Sequence, residues 1–175
     1  MASIRTATPR DARAIAEVHV ASWRWAYRDE LPEASLDALD VDEREEMWSG
    51  WLKEVDPTAE TLVAEDQGEV VGFCGYGPSR DHQAAPGTGE VYTLYVMEDM
   101  AGHGVGRELF ARANERLHAL GYHMATLWVL EANERTRRFY EAARWKTDGA
   151  VGVHHIGGDT LPIVRYSIEL PPEQD

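Results

Sequence analysis

Residues 90–120, EVYTLYVMEDMAGHGVGRELFARANERLHAL, constrain the fold more than any other part of the chain. β-Branched and aromatic residues at 90–96 read as a strand. Glycines then stand at 102, 104 and 106. After them Leu109, Phe110, Ala113, Leu117 and Leu120 recur on one helical face, and Gly121 can end the helix. Strand, glycine turn and helix in this order aim the free N–H groups and positive dipole end of a long helix at whatever lies on the turn. Glycine there lets a ligand approach the backbone closely. An anion is what such a turn holds. Two common phosphate loops fit badly. A nucleoside-triphosphate loop ends in Gly-Lys-Ser/Thr, whereas Gly106 is followed by Arg107 and Glu108. A dinucleotide loop spaces its glycines G-x-G-x-x-G in an early strand–helix–strand unit, whereas these alternate and lie deep in the chain. On its own the pattern leaves a purely structural glycine turn open.

The remaining elements set the class. Thr8, Pro9 and Asp11 open a helix whose face carries Ile15, Val18, Ser22, Trp23 and Tyr27. A second helical region over 32–55 breaks near Asp40, and its apolar stripe is Met47, Trp48, Trp51 and Leu52. ETLVAED and EVVGFCGYG flank a DQGE turn and predict a hairpin. HMATLWVL predicts a strand, NERTRRFYEAA a short helix, and VGVHHIGGDTLPIVRYSIEL a second hairpin. PPEQD reads as a solvated tail. Helices alternating with strands predict one α/β domain over residues 1–175.

Charge and cysteine narrow the function. Seventeen basic against 31 acidic residues give a net charge of −14. Such a chain repels nucleic acid and anionic membranes. Its acidity serves solubility or attracts a cationic substrate. No apolar run is long enough to span a bilayer, and the N-terminal segment lacks the apolar core of a signal peptide, so a cytoplasmic location is expected. Cys74 sits in VVGFCGYG and reads as a small buried hydrophobe. The histidines, among them His82, His103, His123, His154 and His155, lack metal-ligand spacing, so no metal is expected.

VYTLYVMEDMAGHGVGRELFARANERL followed by LWVLEANERTRRFYEAARW, residues 91–146, resembles the GNAT superfamily of acyl-CoA-dependent N-acetyltransferases. The resemblance implies a central mixed, mostly antiparallel sheet with a splayed strand pair, flanked by helices. It implies acetyl-CoA as acyl donor, with the coenzyme pyrophosphate on Ala101, Gly102, His103, Gly104, Val105, Gly106 and Arg107. Leu94, Tyr95 and Val96 would offer main-chain groups to the pantetheine arm, and Asn133 would contact that arm or order a water. Tyr140 matches the family's general acid, and Glu90 matches a carboxylate that deprotonates the amine in some members. The alternatives for these three are a turn asparagine, a core tyrosine and an exposed strand-end acid. Strict alternation puts Glu90, Tyr92, Leu94 and Val96 on one face. The acceptor, a small-molecule or peptide amine, would lie against the helices of residues 8–55, where Trp23, Arg24, Trp25 and Tyr27 can line its pocket. A homodimer is a further implication. Two departures stand out: Ala101 where the family often has Arg or Gln, and Arg144 where it usually has Gly, which predicts a different exit from the short helix. The rival class is an acyl-CoA-binding sensor or interaction module without catalysis.

Overall fold

The structure, a computed structural model, describes residues 1–170; the PPEQD tail lies outside them. Chain order gives β1 (Ser3–Thr6), α1 (Ala12–Ala26), α2 (Glu33–Asp37), α3 (Val41–Lys53), β2 (Glu60–Asp66), β3 (Glu69–Pro78), β4 (Thr88–Val96), α4 (Val105–Ala119), β5 (Met124–Leu130), α5 (Glu134–Ala142), β6 (Lys146–Ile156) and β7 (Asp159–Glu169). The seven strands form one sheet in the order β1-β2-β3-β4-β5-β7-β6. Every neighbouring pair is antiparallel except β4–β5. This is the mixed, mostly antiparallel sheet that the resemblance implies.

Helix starts follow local chemistry. The Thr8 N–H donates to Asp11 Oδ2 at 2.7 Å, and Arg5 grips the same carboxylate with two bonds of 2.8 and 2.9 Å. That guanidinium holds the Asp11 carboxyl below the usual carboxylate range. The break expected near Asp40 is a new cap: Asp40 Oδ1 accepts the Glu43 N–H at 2.9 Å and starts α3. The predicted face of α1 is buried throughout. Of the α3 stripe, Trp48 is buried, but Trp51 is 45% exposed, with the Arg80 guanidinium 5.4 Å over its ring. Leu120 also departs from expectation. It follows the last helical residue and is turned out to solvent, because Gly121 reverses the chain at φ +90°.

α4 covers one side of the sheet, with Leu109, Phe110, Ala113 and Leu117 in a core shared with Leu62, Cys74, Val91 and Leu127. α1 and α3 cover the other side, with Ile15, Val18 and Trp48 against Val63 and Phe73. Cys74 is fully buried, and burial pushes its thiol up.

A bulge in β4 overturns the expected alternation. Gly75 pairs with Thr93 but Tyr76 pairs with Val91, so Tyr92 is an extra residue without a β3 partner. Val91 therefore shares the α4 side with Leu94 and Val96, although strict alternation would separate them. Glu90, next to Val91, belongs to the opposite side, that of Tyr95 and the N-terminal helices. Glu90 and Leu94 do not share a face.

Candidate active site

β4 and β5 pair over only three residues, Thr88–Met124, Gly89–Ala125 and Glu90–Thr126, and then part. Their separated halves open a cleft of about 1660 Å³ that runs from the glycine turn to the N-terminal helices. Glu90 stands at the fork. Beyond it, Tyr95 and Met97 belong to the β3 ladder, the Met97 N–H donating to the Val71 carbonyl at 2.9 Å. Antiparallel strands turn successive residues to alternate neighbours, so Leu94 and Val96 aim their main-chain groups toward the departed β5. One is already taken: Ser22 Oγ donates to the Val96 carbonyl at 3.2 Å.

At the turn Gly102 and Gly104 adopt φ +82° and +88°. A Cβ at either would meet nothing within 4 Å, so both present bare backbone. The α4 ladder starts with the Glu108 N–H donating to the Gly104 carbonyl at 3.0 Å. The N–H groups of Val105, Gly106 and Arg107 precede that ladder, at the positive end of a 15-residue helix. Ala101, Gly102, Gly104, Gly106 and Arg107 line the cleft. Val105 is buried beneath the turn, so only its backbone can serve a ligand, and the His103 side chain is exposed outside the lining. The chain's acidity does not extend here. Arg28, Arg44, Arg80, Arg107, Arg135 and Arg138 line the cleft, against four carboxylates.

Glu90 is 7% exposed. Its Oε1 accepts the Arg80 N–H at 3.0 Å and lies 3.5 Å from Ser79 Oγ. Burial raises its carboxyl above the ordinary range; the Arg80 N–H opposes the shift and Asp81 adds to it. Asp81 is held in turn by the Trp128 indole N–H at 3.0 Å and by Arg165 at 3.0 Å. An exposed strand-end acid is therefore not what Glu90 is.

Tyr140 comes from α5, whose start is fixed by Asn133. Its Oδ1 accepts the Thr136 N–H at 3.2 Å, and the residue also lines the cleft. The end of α5 corrects an expectation. Arg144 takes φ +69°, its N–H donates to the Glu141 carbonyl, and the Trp145 N–H donates back to the Tyr140 carbonyl at 3.0 Å. This is the glycine-type helix exit made with arginine. Burial of Trp145 at 1% exposure offsets its steric cost. Tyr140 thus keeps its place in the cleft lining, 6% exposed, and burial raises its phenol.

Trp23, Trp25 and Tyr27 line the cleft, and Arg24 does not. Arg24 points along the helix surface and donates to the Leu36 and Leu39 carbonyls at 3.2 and 2.9 Å, tying α1 to the α2 segment. Sequence reasoning missed five arginines that do line it, Arg28, Arg44, Arg80, Arg135 and Arg138. Arg44 had one signal: it is the basic residue within the acidic run DVDEREEM, one helical turn before the buried Trp48.

Residues 15–144 match the model of the acetyltransferase (GNAT) family. The chain belongs to the GNAT acetyltransferase family. As a member it is an acyltransferase. It is 38% identical over 144 residues to the uncharacterized N-acetyltransferase YuaI of Bacillus subtilis, covering 81% of this chain and 79% of that one. It is 29% identical to the probable N-acetyltransferase Rv2775 of Mycobacterium tuberculosis, covering 97% and 95%. The GNAT fold is shared with the PaiA N-acetyltransferase of Thermoplasma acidophilum, solved with coenzyme A, at TM-score 0.77 and 17% identity over 97% of this chain and 99% of that one. The yncA protein of Salmonella typhimurium, solved with acetyl-CoA, aligns at TM-score 0.72 and 21% identity, covering 100% of this chain and 97% of that one.

Proposed function

We propose that this GNAT protein transfers an acetyl group from acetyl-CoA to a primary amine of a small molecule or peptide, by direct attack in a ternary complex. The observation that carries this reading is the three-residue β4–β5 pairing, which leaves main-chain groups open along a cleft with Glu90 at its fork. Two solved relatives of the same fold hold coenzyme A or acetyl-CoA, which supports the choice of donor.

The residues fit that coenzyme. Bare backbone at Gly102 and Gly104, and the free N–H groups of Val105 to Arg107, suit a diphosphate. Leu94, Val96 and Asn133 would hold the pantetheine arm. Bound acetyl-CoA supplies the carbonyl that is attacked and the sulfur that leaves. The chain's own groups do the rest. The Val96 N–H donates toward the carbonyl oxygen, where negative charge grows. Glu90 accepts the proton of the incoming ammonium, directly or through water. Tyr140 keeps its proton at neutral pH, since burial raises a phenol whose ordinary pKa is already near 10; it gives that proton to the departing sulfur, and the second proton shed by the nitrogen as the amide forms restores the phenol.

Glu90 provides a test. A base works only when ionised, and its pKa is raised. Activity should therefore fall, as pH is lowered, at a pH above the ordinary glutamate value of about 4.3. Glu90→Gln should lower kcat/KM by about 10²-fold, the lower end of the range for a positioned base, and remove that acid limb. An unchanged limb in the variant would take Glu90 out of the mechanism.

A further inference from the structure

Donors crowd the acceptor end of the cleft; of the carboxylates that also line the cleft, Asp40 and Glu43 lie close to Arg44 in sequence, and Asp40 is used as the α3 cap. His19, Trp23, Tyr27, Arg44, Tyr95 and His154 line it together. Arg44 forms no ion pair among the described residues of a chain that carries 31 acidic side chains. Its one side-chain contact of polar type is to Met47 Sδ at 3.8 Å. Its charge is instead felt by the Tyr95 phenol and by the His19 and His154 imidazoles. Both imidazoles are pulled down, chiefly by burial and partly by Arg44, His19 to about 4. The Trp48 indole N–H donates to His19 Nδ1 at 3.2 Å, so the neutral ring keeps its hydrogen on Nε2. The Trp23 indole N–H is buried and directed at the Tyr95 phenol, but does not reach hydrogen-bond geometry with it. The Tyr27 hydroxyl is close to the same phenol. Among the described residues, the side chains that shift Tyr95, His19 and His154 include Arg44 and no carboxylate.

A buried donor without an acceptor and a half-buried guanidinium without an anion are both costly, unless a ligand completes them. A cationic polyamine would add positive charge beside Arg44 and could accept nothing from Trp23. A carboxylate satisfies both, and the guanidinium fork matches its two oxygens. We infer that the acceptor is an amino carboxylate of amino-acid size, its carboxylate held by Arg44 and the Trp23 indole N–H while its amine faces the parted strands. This assignment rests on the acetyl-transfer reading above and specifies its acceptor.

The experiment pairs free α-amino acids with their carboxamides as acceptors, scored by release of coenzyme thiol. Binding of acetyl-CoA is followed separately by calorimetry. At least one free amino acid should be used about 100-fold better in kcat/KM than its carboxamide, the order expected when one partner of a desolvated charge pair is lost. Arg44→Met should erase that preference and leave acetyl-CoA affinity unaltered. Trp23→Phe keeps an aromatic side chain but removes the pyrrole half of the indole with its N–H; it should cost at least about tenfold on the acid, as for one hydrogen bond to a charged group, and far less on the carboxamide. Equal use of acids and amides, an acid preference that survives Arg44→Met, or amines accepted only without a carboxylate each overturn the assignment. Acetyl-CoA binding in those outcomes would leave the coenzyme reading intact; its loss in the wild type would remove that reading instead.

Discussion

Tyr140→Phe is expected to slow acetyl transfer by about 10²–10⁴-fold, the usual contribution of a positioned general acid, while acetyl-CoA affinity changes little. The substitution keeps the ring that packs against Phe110 and Tyr166 at 5.2 and 6.1 Å between centroids, and removes only the hydroxyl with its proton. An interaction used mainly in the transition state shows as a fall in kcat with unaltered binding. A tyrosine present only for packing gives the reverse pattern: lower thermal stability and near-normal turnover per folded molecule. Product release can mask a chemical step, so the measurement is single-turnover transfer at saturating coenzyme. A rate within about threefold of wild type, well under the general-acid range, would leave water as the proton source.

Gly104→Val is expected to weaken acetyl-CoA binding by more than about 100-fold, from two effects that add. A left-handed backbone costs a non-glycine residue roughly 1–2 kcal/mol, and a β-branched one more, so the turn moves and its N–H groups no longer converge. The side chain also occupies the space a diphosphate needs. A Cβ at Gly104 meets no protein atom within 4 Å, so the steric part appears only with ligand bound. Gly121 supplies the control. It has φ +90° and an equally open Cβ position, but lies at the far end of α4, outside the cleft lining. Gly121→Val should cost similar stability and leave coenzyme affinity untouched. Equal losses of affinity in both variants would mean that strain alone acts, and that the turn is structural.

The parts of this site that were legible in the sequence are those set by local rules. Glycine spacing, the helical face of α4 up to Leu117, the Asp40 cap and the DQGE turn all depend on near neighbours, and all appear as expected. What was missed depends on pairing across the sheet. β1 is four residues long and has no apolar pattern of its own; it exists because β2 offers an edge. The bulge at Tyr92 carries no glycine or proline, so period-2 reasoning ran straight through it and put Glu90 on the wrong face. Arg24 and Arg44 show the same difficulty for charge. Both sit on N-terminal helices, and only the docking of α2 against α1 consumes the first in carbonyl bonds and leaves the second in the cleft. Arg144 shows the converse: a rule against non-glycine residues at positive φ yielded to the burial of the next side chain, Trp145.

The central claim is that the parted β4–β5 cleft moves an acetyl group rather than only holding its donor. It is tested most directly by incubating the protein with acetyl-CoA and a panel of primary amines, while following free thiol and the masses of the amines together. The account predicts that thiol and one N-acetylated amine appear in equal amounts, at a rate set by the amine. Tight binding of acetyl-CoA, with no amine raising thiol release above hydrolysis, would contradict it and leave a coenzyme-binding module.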